Sequence, residues 1–174
     1  MSLEPSRVPV IIAAVIIVLL QALVAPNIAV FGITPNFILA YSLVIALLQP
    51  HNPPYITSFV LGLIFSFMGG GPVGSLAFCL VLATFVCTRI STVLSIDTPF
   101  MYIALLVVST FAVELVYGIL LMICGLPGTF GDVLVYRVLP CGLYDSIIGL
   151  ILFLIMSRLV TEEAPRRTDI TQLR

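Results

Sequence analysis

Apolar residues run along this chain with neither the alternation of a half-buried strand nor the polar stripe of a surface helix. From Val8 to Thr88 there is no Asp, Glu, Lys or Arg, and VIIAAVIIVLL (10–20) is apolar on every side. Such runs belong to helices in lipid, because the strands of a membrane barrel alternate apolar and polar positions. Proline and glycine supply the punctuation, since they end helices and gather in turns. They divide the chain into six predicted spans at about 8–25, 35–49, 55–69, 72–95, 99–124 and 134–158. The connections are APNIAVFGITP (25–35), QPHNPP (49–54), GGGP (69–72), SIDTP (95–99) and CGLPGTFGD (124–132). All are short, so successive helices run antiparallel.

A helix rising ~1.5 Å per residue needs ~20 residues to cross ~30 Å of hydrocarbon. Six such spans use about 120 residues, which leaves no room for a soluble catalytic domain. The predicted fold class is therefore an all-α integral membrane protein, a bundle of six transmembrane helices over residues 1–160. The polar end TEEAPRRTDITQLR (161–174) is expected to be a flexible cytoplasmic tail. Spans 2 and 3 would cover only ~22 Å as regular helices. The approach Ile28 to Ile33 and the glycines after Met68 are expected to complete those crossings, covered by protein because lipid cannot hydrogen-bond an irregular backbone. The first run, 8–25, is read as a retained span rather than a cleaved signal, since Leu23 is too large for a small-x-small cleavage site and Pro26 follows.

Composition agrees with this assignment: 61% of the 174 residues are hydrophobic and 9% charged, with a formal charge of −1. All basic residues are arginines and no basic tract occurs, so nucleic acid is excluded as a partner. Arginines accumulate on the cytoplasmic side of membrane proteins. Six spans with the N-terminus inside put Arg7, Arg89, Arg158, Arg166, Arg167 and Arg174 in the cytoplasm, and only Arg137 outside. Arg137, near an outer helix end, is expected to snorkel to the interface. The cysteines Cys79, Cys87, Cys124 and Cys141 lie in apolar segments without CxxC spacing and read as small apolar fillers, not as disulfides or metal ligands.

Two patterns could carry function. Ser58, Gly62, Ser66, Gly70 and Gly74 place a small residue at every fourth position, a close-packing stripe that serves an internal contact of the bundle or, in the functional version, a docking face. Glu114 and Asp145 are acids inside predicted spans, where a carboxylate is costly and faces the bundle interior or a partner. Glu114 lies ten residues from Cys124 and Asp145 eleven from Leu134, so the two sit at nearly equal depth. Thr110, Glu114 and Tyr117 share a face of span 5, with Gly118 beside them, while Cys141, Asp145 and Gly149 share a face of span 6. Together with Arg137 they form a candidate buried polar network or partner-binding site, with a ligand pocket or a proton path as the alternatives. Gln21 reads as an interhelical hydrogen-bonder, and His51 as a loop residue, since a single His makes no metal site. GGGPVG (69–74) lacks the Lys and Ser/Thr of a phosphate loop, and no HExxH, GxSxG or Cys–His arrangement occurs, so neither an enzyme nor a cofactor is expected.

PNFILAYSLVIALL (35–48), GLIFSFMGGGPVGSLAF (62–78) and LYDSIIGLILFLIMSRL (143–159) resemble the bacterial rod shape-determining MreD family over most of the chain. The chain departs from the family where Asn36 and Ser66 stand in place of two common acids. The resemblance implies a non-enzymatic scaffold or regulator of the cell-elongation complex in the bacterial inner membrane. It would bind the bitopic protein MreC, be linked with MreB, RodA and a class B penicillin-binding protein, and support lateral peptidoglycan synthesis and cell shape. A homodimer is a further arrangement. The family is also similar in fold to the substrate-binding subunits of energy-coupling-factor transporters, so the alternative is a subunit binding a vitamin or another small solute. Against that alternative, such subunits dock through AxxxA in span 1, where Ala13 and Ala14 are here followed four residues on by Ile17 and Val18.

Overall fold

The computed structural model describes residues 8–30, 32–50, 52–69, 71–93, 99–125 and 129–162. The predicted tail falls outside these residues except at its first two positions, and His51 and Gly70 also lie outside them. The described chain is helical: α1 (Val8–Leu23), α2 (Phe37–Leu48), α3 (Tyr55–Met68), α4 (Ser75–Val93), α5 (Pro99–Ile123), the single turn α6 (Phe130–Val133) and α7 (Leu139–Glu162). Three stretches, Ser75–Val93, Phe100–Ile123 and Phe130–Arg158, are long and apolar enough to cross a membrane. The shorter helices α1, α2 and α3 have 16, 12 and 14 residues.

Local chemistry sets the ends of these helices. Asn36 caps α2, its side chain accepting the Leu39 N–H at 3.0 Å, and Pro50 follows the helix just beyond Gln49. Pro99 opens α5 at the first helical position, where its missing N–H has no partner to lose. Thr129 and Asp132 cap α6 reciprocally. Gly74 turns the chain into α4 with φ of +88°, a conformation that side chains with a Cβ rarely adopt.

α2 is the centre of the molecule. Every residue from Ile38 to Leu47 is buried, and α1, α3, α4, α5 and α7 all pack on it. A helix that is apolar on every side and only 12 residues long fits this enclosed position. The outward surfaces of α1, α4 and α7 carry exposed apolar side chains such as Ile12, Ile16, Phe85, Val86, Ile147 and Leu154, while Ser42, Ser58, Thr84 and Thr110 are buried. This arrangement, small polar residues inside and large apolar ones outside, suits a lipid environment.

Close approach of backbones holds α3 to α4. A Cβ on Gly62 would stand 2.4 Å from Ala77 Cα, and the hydroxyls of Ser58 and Thr84 hydrogen-bond at 2.9 Å. On α7, Gly142 accepts the Phe111 ring and Gly149 the Leu106 side chain, both from α5.

The segment leading from α1 to α2 is irregular, a short 3-10 turn at Ala25–Ile28 followed by paired backbone bonds between Val30 and Ile33. Neighbouring side chains take up its backbone groups. Gln21 Nε2 donates to Pro35 O at 3.1 Å, Gln21 Oε1 accepts the Phe37 N–H at 2.8 Å, and the Tyr144 hydroxyl donates to Ile28 O at 2.7 Å. Non-helical backbone inside a membrane bundle needs such partners.

Candidate functional site

The N-terminus of α2 begins inside the bundle, beside α7, rather than at its surface. The Asn36 N–H donates to Asp145 Oδ1 at 2.7 Å, so a carboxylate meets the positive end of α2's peptide dipoles. Asp145 and Glu114 are 1% and 3% exposed and line one cavity of about 210 Å³ between α2, α5 and α7. The two carboxyls interact directly, and Arg137 acts electrostatically on both. Exposed Gly32, Thr34 and Tyr136 form the rim, so the cavity opens at the end of the bundle where the 24–36 segment and α6 lie.

Arg137 corrects the sequence-based expectation. Instead of snorkelling away, it turns inward: its guanidinium lies 5.1 Å from the centroid of the Tyr117 ring and its Nε is buried. A π-helical turn at Leu134–Val138 accounts for this. Pro140 has no N–H to donate to Tyr136 O, and the Leu139 N–H bonds back to Leu134 O, five residues away. One extra residue in a turn rotates the preceding side chains by about 100° relative to a regular helix.

Glu114 Oε2 and Asp145 Oδ2, on the two carboxyls that meet each other, receive no hydrogen bond from any other protein donor, and Arg137 Nε reaches no acceptor. Arg137 forms no ion pair with either acid, and among the described residues no group of three His, Cys, Asp or Glu gathers to hold a metal. Tyr117 completes the floor, while Thr110 stands apart from the cavity with its hydroxyl bonded to Leu106 O on its own helix. Neither acid reaches the outer surface, so a helix lying against the bundle would not touch them.

The stripe is divided among several tasks. Ser58 and Gly62 face α4, and Ser66 donates to Gly62 O at 2.9 Å while accepting the Gly74 N–H at 3.3 Å. Of the cysteines, which are all free, Cys79 and Cys87 are buried, Cys141 lines the cavity and Cys124 is exposed. Sequence reading missed Thr34 and Tyr136 as cavity residues and the Asn36 backbone as an acid's partner. Pro140, closely following Arg137, was the available sign of an irregular turn.

The cavity offers two carboxyls, the Arg137 guanidinium and the Cys141 thiol. No curated protein and no solved structure matches the chain, so these comparisons do not tie its fold to the vitamin-transporter subunits. Against known families, residues 6–162 match "rod shape-determining protein MreD". With a match over nine-tenths of its length and three helices able to cross a membrane, the chain belongs to the MreD family of rod shape-determining membrane proteins.

Proposed function

We propose that this protein is a non-enzymatic scaffold of the cell-elongation machinery, which binds the bitopic protein MreC and supports lateral peptidoglycan synthesis. The family match over residues 6–162 carries the reading. In this reading MreB, RodA and a class B penicillin-binding protein join through the larger complex. The exposed apolar faces of α1, α4 and α7 are consistent with it, since helices associate in lipid by packing and interhelical hydrogen bonds. The protein sits in the inner membrane with six crossings and both termini in the cytoplasm, an orientation that the arginine distribution supports. The cavity then opens outward, and the partner contacts the lipid-facing surfaces rather than Glu114 and Asp145.

Co-purification in mild detergent tests the proposal. A tagged copy of this protein is expected to recover co-expressed MreC in a saturable complex. Failure to retain MreC, with both proteins folded and present in the same membranes, overturns it.

A further inference from the structure

We propose that the cavity between α2, α5 and α7 binds a small zwitterion through its primary ammonium, with the ammonium bridging Glu114 and Asp145 and the anionic group at Arg137. This inference is independent of the scaffold role and rests on buried polar atoms, short of donors or acceptors, gathered in one cavity that opens past Thr34 and Tyr136.

Asp145 has one oxygen bonded to the Asn36 N–H, while its Oδ2 and Glu114 Oε2 are buried and receive no hydrogen bond from any other protein donor, the two carboxyls meeting each other instead. Leaving a buried acceptor unsatisfied is costly, and more so in a membrane bundle. The protein has a donor nearby but does not use it: Arg137 stacks on Tyr117, and its buried Nε is also without a partner. Opposite charges attract strongly in a low-dielectric cavity. That Arg137 and the acids share such a cavity without touching leaves a gap for a molecule carrying both signs.

Chemistry selects the occupant. Two adjoining carboxyls, each with a buried oxygen that no other protein donor reaches, match a primary ammonium, which has three donors and a compact positive charge. A divalent cation fits less well, because the Arg137 guanidinium lines the same cavity and repels it, and among the described residues no group of three His, Cys, Asp or Glu gathers to hold a metal. The fixed guanidinium offers a second, planar site for a carboxylate or phosphate. A volume of about 210 Å³ far exceeds the ~15 Å³ that holds one water and suits a compact molecule. Two sources present this chemistry: a free amino-phosphate or amino acid entering past Thr34 and Tyr136, and a phosphoethanolamine lipid headgroup.

The test uses the full chain purified in detergent free of ethanolamine lipids. Glycerophosphoethanolamine is titrated against glycerophosphocholine, whose quaternary nitrogen has no N–H, with binding followed by calorimetry and thermal shift. A second arm uses dioleoyl phosphatidylethanolamine against its phosphatidylcholine counterpart. Saturable binding of an ethanolamine compound at least tenfold tighter than its choline analogue is expected, with a rise in melting temperature. Binding in the soluble arm identifies a free zwitterion; binding only in the lipid arm identifies a headgroup. Glu114→Gln is expected to weaken binding tenfold or more while leaving a cooperative melt. If that variant does not fold, Arg137→Gln reports on the anionic half and is expected to lower affinity tenfold for the phosphate compounds but not for ethanolamine itself. Equal affinity for the ethanolamine and choline forms overturns the proposal, as does no binding in either arm by a folded protein, which would mean a cavity filled by water alone.

Discussion

Asn36 and Asp145, 109 residues apart, are joined by a 2.7 Å hydrogen bond from the Asn36 backbone N–H to the Asp145 carboxylate. The bond ties the start of the enclosed helix α2 to the second turn of α7. Asn36 has two roles there, because its side chain also caps α2 through the Leu39 N–H. Asparagine suits this position, since Asn and Asp are the strongest N-caps and are nearly equal.

Asp145→Ala removes the acceptor and leaves the buried Asn36 N–H unpaired. The expected loss is about 1–3 kcal/mol, the usual cost of stranding a buried donor. Thermal unfolding in detergent measures it, and Asp145→Asn, which keeps a carbonyl oxygen in the same place, is expected to lose less. Equal melting of the wild type and the alanine variant would show that α2 is held elsewhere.

At Gly62 the constraint is steric. A Cβ there would come within 2.4 Å of Ala77 Cα and 2.7 Å of its nitrogen, and backbone cannot swing aside as a side chain can. Gly62→Leu is expected to force α3 away from α4 and cost about 1–3 kcal/mol or more by overpacking. Gly69→Ala, whose new Cβ meets nothing closer than 3.5 Å, serves as the control and should melt with the wild type.

Some of this was legible in the sequence and some was not, for physical reasons. Counting residues from the helix ends sets Glu114 and Asp145 at one depth, because an acid far inside an apolar helix has few places to face. The inward turn of Arg137 could not be counted that way, since the π-helical turn before Pro140 breaks the regular 3.6-residue period on which the count depends. Nor could α2 be distinguished as the enclosed helix. Facing lipid and facing protein both select apolar residues, so FILAYSLVIALL reads like its neighbours until the packing is known. The pairing of Asn36 with Asp145 leaves no local trace, because the donor is backbone.

Gln21 spans the irregular entry to α2 with both ends of its amide, donating to Pro35 O and accepting the Phe37 N–H. Gln21→Leu keeps the bulk and removes both bonds. The Phe37 amide is then expected to exchange at least tenfold faster with solvent deuterium, corresponding to about 1.4 kcal/mol of lost protection. Amides at the centre of α2, such as those of Leu43 and Val44, should be unchanged. Uniform acceleration along α2 would instead indicate global destabilisation.

The cysteines provide a test of the proposed orientation that does not depend on any partner. Cys124 is exposed at the end of α5, whereas Cys79 and Cys87 are buried within the bundle. Maleimides react with the thiolate, which forms where water reaches the sulfur and is suppressed in apolar surroundings. In variants that keep one cysteine each, a membrane-impermeant maleimide added to intact spheroplasts is expected to label Cys124 and to leave Cys79 and Cys87 unlabelled. After unfolding in detergent and denaturant, all three should label equally, which rules out loss of the thiol as the cause. If Cys124 labels only in inverted vesicles, the bundle is oriented the other way, the cavity opens to the cytoplasm, and the arginine-based orientation is wrong.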